Sequence, residues 1–129
     1  MEIHVLTEQI IGCAYRVHNE LGPGFLEKVY ENAMKVELQE EALVVDQQHP
    51  IPVRYRDRIV GDFHADLIVE ERVIVEVKAI RALAREHEVQ LVNYLTATGI
   101  DDGLLINFGP SVTVKRKFRQ YNRQDSQYN

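Results

Sequence analysis

The chain has a single cysteine, no tryptophan and no apolar run approaching a bilayer's thickness, and its charge balance is not basic. Each of these limits what it can be. One cysteine, Cys13, cannot close an internal disulfide. It lies among the apolar positions of a helical pattern, so it is expected to be a small buried hydrophobe rather than a reactive thiol. Roughly 20 consecutive apolar residues are needed to span a membrane, and the opening segment Met1 to Ile10 is too polar and irregular for a secretory signal. These features predict a cytoplasmic protein with no membrane partner. The formal net charge of −5 argues against tight stand-alone binding to nucleic acid, because bulk affinity comes from Lys and Arg neutralising phosphates. Neither an internal repeat nor a low-complexity linker interrupts the sequence. A length of 129 residues with 45% hydrophobic and 27% charged residues fits one globular domain over 1–129.

The positive charge that is present is clustered. Arg54, Arg56 and Arg58 form one group, and Lys115, Arg116, Lys117 and Arg119 another. Each is either a local phosphate-binding surface or a solvated strand face that protects a sheet edge. Small size and edge strands also leave room for a homodimer.

Ile10, Ala14, Val17 and Leu21 recur at helical spacing, and Gly22-Pro23-Gly24 ends that stripe. Leu26, Val29, Tyr30, Ala33 and Val36 begin a second helix, which extends to about Glu41. From Leu43 onward β-branched residues take over. Strands are expected near 43–48, 51–57, 60–69 and 73–79, the first an edge or bent strand because of Pro50 and Pro52. A third helix spans about Leu83 to Thr98, with Gly99 as its stop, followed by strands over Gly103–Phe108 and Val112–Phe118. The polar residues after Gln120 are expected to fray. This order predicts an α/β fold in which helices cover both faces of one mixed sheet.

The segment from Gly61 to Ile80 folds on paper into a hairpin turning at Glu71. Ala65, Leu67 and Val69 then oppose Val77, Val75 and Val73 on a wholly apolar face. The other face sets His64, Asp66 and Ile68 against Lys78, Glu76 and Ile74. Facing carboxylates at cross-strand distance repel unless something neutralises them, and a divalent cation would do so. Oxygen ligands suit Mg²⁺ or Mn²⁺, which leave coordination positions for water and a substrate phosphate. Lys78 points to the same side, where it could orient or deprotonate an attacking water or offset charge on phosphorus. Taken alone, this trio could equally be a structural ion pair on an exposed sheet face.

Further motifs bear on that choice. Gly24-Phe-Leu-Glu27-Lys-Val-Tyr30 has the form G-x-x-E-x-x-Y, and Gln90-Leu-Val-Asn-Tyr94 has the form Q-x-x-x-Y. With Asp66, Glu76 and Lys78, and with Ala65-Asp66-Leu67, Tyr94-Leu95-x-Ala97-Thr98-Gly99 and Gly103-Leu-Leu-Ile-Asn-Phe-Gly109, the chain resembles the GxxExxY proteins of the PD-(D/E)XK nuclease superfamily from about Asn19 to Phe118. The resemblance implies a restriction-endonuclease-like αβββαβ core with a mixed central sheet. Asp66, Glu76 and Lys78 then take the Asp and Glu-x-Lys positions, and Glu27 is the helical acid. Asp66, Glu76 and Glu27 would bind Mg²⁺ or Mn²⁺. Gln90 and Tyr94 match the helical motif of RecB-like members, with Tyr30 and His64 as auxiliary residues. Ala65 stands where the superfamily's name has proline.

Other readings stand beside these. Glu27 suits the positive end of a helix whatever its function, Tyr30 is a natural core aromatic, His87 is expected to be solvated, and His64 is at best a supporting group. The implied function is metal-dependent phosphodiester hydrolysis of DNA or RNA, with nucleic acid bound weakly by this chain alone. The alternative is a non-catalytic nuclease-fold binding or scaffold protein working with an unknown protein partner.

Overall fold

The computed structural model describes residues 1–120, so the expected fraying after Gln120 lies outside it. Three helices and five strands follow one another as α1 (Ile3–Leu21), α2 (Glu27–Glu40), β1 (Val45–Tyr55), β2 (Arg58–Val69), β3 (Val73–Lys78), α3 (Arg85–Thr98), β4 (Asp102–Phe108) and β5 (Val112–Phe118). The strands lie side by side in chain order; only β3 and β4 run parallel, joined by the α3 crossover. This is a mixed sheet with helices on both faces.

Each face has its own apolar core. Leu6, Ile10, Cys13, Ala14 and Val17 of α1 and Tyr30, Met34 and Leu38 of α2 pack on Leu67, Val69, Val73, Val75 and Val77. On the other face Leu91, Tyr94 and Leu95 of α3 cover Ile51, Ile68, Ile74 and Leu105. Burial holds the Cys13 thiol in its protonated form, with its pKa pushed up to about 11, in keeping with a packing role.

The β2–β3 hairpin has the register expected from its hydrophobic pattern: Leu67 faces Val75, Ile68 faces Ile74 and Val69 faces Val73. Two expectations fail. The separate strands near 43–48 and 51–57 are one continuous strand, β1, which pairs with β2 throughout. Pro50 and Pro52 do not break it because β1 is an edge strand, and residues of that parity can direct their missing N–H away from the ladder. Ala65, expected beside Leu67 and Val69, instead packs in the α3-side core. The alternation slips at Asp66, where the pairing skips from Gln47–Leu67 to His49–Ala65 and Gln48 between them adopts a left-handed backbone, φ 56°.

Beyond Leu67, β2 has no β3 partner. Arg58–Asp66 pairs with β1 alone, so the two strands continue past the sheet as a two-stranded arm whose tip turns at Arg56 and Asp57. Asp66 lies where this arm forks away from β3.

Candidate active site

At the fork, carboxylates replace the backbone ladder. Asp66 Oδ2 accepts the Val77 N–H at 2.8 Å, and Glu76 Oε2 accepts the Asp66 N–H at 3.0 Å. Each acid is therefore fixed by the other's strand. Glu76 is only 8% exposed. Burial, and then the neighbouring Asp66 carboxylate, push its pKa up to about 9, against the opposing pull of the Asp66 N–H and of Lys78. Without a cation the pair therefore retains a proton near neutrality.

Because β2 and β3 diverge here, groups from both faces of the sheet reach the gap. Glu27, the first residue of α2, feels Lys78, Asp66 and Glu31; its carboxyl is raised by burial, which outweighs the attraction of Lys78. From α3, Tyr94 approaches the opposite side. Its hydroxyl is raised first by burial and then by Glu76, while accepting a hydrogen bond from Gln90 Nε2 at 2.9 Å. Lys78 is half-buried and enters no ion pair among the described residues, leaving its ammonium available to a bound anion.

Tyr30 belongs to the scaffold. Its hydroxyl donates to the Gly22 carbonyl at 2.5 Å and accepts the Phe25 N–H at 3.2 Å, while its ring stacks on Phe108. It thereby ties down the turn containing Gly24, whose φ of 107° favours glycine. The G-x-x-E-x-x-Y motif thus divides into a turn residue, an acid at the start of a helix, and a pin. His64 is exposed on the arm, and among the described residues no hydrogen bond or ion pair joins it to Asp66, Glu76 or Lys78. The fork separates it from its expected neighbour. His87 is not merely solvated, because its Nδ1 accepts the Ala84 N–H at 3.0 Å and caps α3.

The structure adds two residues that spacing did not single out. Glu31, one turn after Glu27, is 2% exposed and accepts hydrogen bonds from Lys28, Gln47 and Gln48. Gln48 Nε2 also reaches Asp66 Oδ1 at 3.4 Å, so the left-handed residue of β1 bridges the α2 acids to the fork. The i, i+4 spacing of Glu27 and Glu31 was the available signal. Gly109, in the glycine-bounded strand motif, allows close approach: a Cβ there would stand 2.6 Å from the Ile80 carbonyl, in the loop that Asn107 also pins.

The donor set fits a hard divalent cation in one respect: two adjacent carboxylates, one deeply buried, cannot both ionise without a positive partner. It is not a preformed three-acid cage, since no group of three or more His, Cys, Asp or Glu is poised to hold a metal among the described residues. Two protein carboxylates suffice for Mg²⁺, which retains several waters. Glu27 stands within electrostatic reach of Asp66 and Lys78 at this gap.

Comparison with known proteins agrees with the fold. The family model described as the PD-(D/E)XK nuclease superfamily matches residues 4–121, and the chain belongs to that superfamily, a class of nuclease-type proteins that typically use divalent metals. The crystal structure of SSO0001 shares the fold, with a TM-score of 0.57 at 13% identity over 76% of this chain. The match covers 53% of that chain, about half its length. A search of curated proteins returned no match. Among the described residues no helix is long and apolar enough to cross a membrane.

Proposed function

We propose that the chain is a Mg²⁺- or Mn²⁺-dependent phosphodiesterase of the GxxExxY branch, with the Q-x-x-x-Y element of RecB-like members, acting on nucleic acid. The observation that carries this reading is the Asp66–Glu76 pair, two carboxylates locked side by side by backbone N–H groups, with burial and mutual repulsion holding a proton on them. A cation bound there would supply a stronger nucleophile from water and neutralise charge on phosphorus. Asp66 and Glu76 would hold it. Glu27 would act on the attacking water through the charge it brings to the gap. Lys78, through its ammonium, offsets phosphate charge or orients the attacking water. Gln90 fixes the Tyr94 hydroxyl, which faces Glu76 and borders the substrate's approach.

The test pairs cleavage with binding. Single- and double-stranded DNA and RNA are incubated with Mn²⁺ or Mg²⁺, and thermal unfolding is followed with and without metal for wild type and Glu76→Gln. Cleavage by wild type and a metal-induced rise in Tm confined to wild type are expected, since only a ligand held by the native site shifts its unfolding equilibrium. Equal metal responses would refute the site. A selective response without cleavage of any substrate would favour the non-catalytic scaffold.

A further inference from the structure

The two basic clusters are not equivalent once folded. On and after β5, Arg116 pairs with Glu8, Lys117 with Glu88 and Arg119 with Asp101, so most of that charge is neutralised within the protein. At the tip of the β1–β2 arm, Arg54, Arg56 and Arg58 are all exposed and join no ion pair among the described residues. In a chain of net charge −5 they form a local basic patch outside any ion pair, with Asp57 as the acid in the turn between Arg56 and Arg58.

Aromatic groups accompany them. Tyr55, 61% exposed, lies beneath the Arg56 guanidinium at 5.3 Å, and Phe63, 44% exposed, meets the Tyr94 ring at 5.9 Å. Between β1 and α3 runs an open groove of about 1250 Å³ that begins at Arg54 and Val53, passes Pro52, Phe63 and Tyr94, and includes Gln90. Its wall is mainly apolar and aromatic, with Glu86 at the start of α3 and Asp46 and Glu71 toward the β2–β3 turn as its acids. Duplex nucleic acid presents phosphates outward and keeps its bases stacked. Only an unpaired strand could lay base faces against such a wall while its phosphates meet the arginines.

We infer that the β1–β2 arm is the nucleic-acid-binding element, and that it takes a single strand, with phosphates on Arg54, Arg56 and Arg58 and bases along Tyr55 and Phe63 toward the Asp66–Glu76 fork. The direction of the strand rests on the nuclease reading; binding by the arm does not. The arm joins the sheet next to Asp66, and the groove passes Tyr94, whose hydroxyl feels Glu76, so a strand gripped at the tip has the carboxylates beside its path.

The experiment measures fluorescence-anisotropy binding of short DNA and RNA oligonucleotides, single-stranded and duplex, in EDTA across a salt series. Four proteins are compared: wild type, the triple variant Arg54→Gln/Arg56→Gln/Arg58→Gln, Phe63→Ala, and the ion-paired control Arg116→Gln/Lys117→Gln. Wild type should prefer single strands. The triple variant should bind more weakly and lose about 2 from the slope of log affinity against log salt, at roughly 0.7 per phosphate contact. Phe63→Ala should weaken binding about five- to a hundredfold with the slope kept, as expected for lost stacking. The control should match wild type. Circular dichroism confirms that each variant is folded.

No measurable binding by wild type, an unchanged affinity and slope in the triple variant, or a preference for duplex would each overturn the inference. So would a concentration-dependent dimer that the triple variant abolishes without any change in nucleic-acid affinity, since the arm would then serve a second copy. A parallel cleavage assay in Mn²⁺ separates the two readings. Arm-dependent binding without cleavage removes the nuclease assignment and leaves the arm standing, whereas cleavage and binding indifferent to the triple variant do the reverse.

Discussion

The two halves of β2 differ more from each other than either differs from its neighbouring strand. From Leu67 to Val69 the strand lies between β1 and β3, every side chain buried; from Arg58 to His64 it has β1 alone, and nearly every side chain is exposed. One half is held by apolar packing on both faces. The other is held by a single ladder and presents charge and rings to solvent. Asp66 stands at the join, anchored to the rigid half and opening onto the free one. Cohesion and recognition are thus separated along one strand, with the proposed chemistry at the boundary.

The most direct way to break this comparison is to truncate one side chain in each half. Leu67→Ala removes a fully buried residue of the α1–α2 core and should cost about 2–5 kcal/mol of unfolding free energy. Val60→Ala, on the exposed arm, should stay within about 0.5 kcal/mol. Urea titrations measure both, and comparable losses would show that the arm is packed against something rather than free.

At the boundary, Glu76→Gln should lower the proposed phosphodiesterase rate by more than about a hundredfold, beyond what the loss of a merely supporting group near a metal costs. The amide preserves the shape of Glu76 but removes the charge that would hold the cation. In EDTA the variant should unfold at the same temperature as wild type or higher, because the amide is neutral without having to take up the proton that burial and Asp66 impose on Glu76. Loss of rate together with loss of metal-free stability would instead mark Glu76 as a structural residue.

The same pair sets a pH dependence. Glu76 has a folded pKa raised from 4.5 to about 9, so the folded protein keeps a proton that the unfolded chain releases. Its stabilising effect is complete below the unfolded value and is lost as pH rises through the window up to the folded one. Glu27 is raised in the same direction. In EDTA, Tm should therefore fall from about pH 4.5 toward pH 9 more steeply in wild type than in Glu76→Gln. Mn²⁺ should act oppositely, raising Tm more at high pH, because cation and proton compete for the same oxygens. Parallel profiles for the two proteins in EDTA would show that Glu76 does not retain the proton.

Much of this arrangement was legible in the sequence for physical reasons. The apolar alternation of Leu67, Val69, Val73 and Val75 permits one register, since a slip of one residue would expose the whole set. That register brings Asp66 to Glu76. Ala65 was misplaced because alternation presumes an unbroken ladder, and the ladder breaks where the carboxylates enter it. Pro50 and Pro52 mark the edge strand that β1 is, but they do not divide it, because an edge strand accommodates a proline whose missing N–H is turned from the ladder. Glu31 and Gln48 escaped notice because they act through contacts between α2, β1 and β2, distant in sequence. For the same reason the two basic clusters looked alike: Glu8, Glu88 and Asp101, which neutralise the second, come from elsewhere in the chain.

The smallest expected effect separates the two ends of the G-x-x-E-x-x-Y motif from its centre. Tyr30→Phe keeps the ring stacked 4.7 Å from Phe108 and edge-on to Phe25, but removes the hydroxyl that bridges Gly22 and Phe25. Losing such bonds should cost about 0.5–1.5 kcal/mol, read as a lower urea midpoint with the slope unchanged. The phosphodiesterase rate per folded molecule should match wild type, because the hydroxyl is spent on the turn and the ring is buried in the core. Glu27→Gln should show the inverse, a lower rate with little change in stability, since a half-buried first-turn acid contributes only about 0.3–1 kcal/mol through the helix dipole, and its burial works against the charge. If Tyr30→Phe instead abolished the rate in fully folded protein, the tyrosine would have to act in the reaction, and the division of the motif into turn, acid and pin would fail.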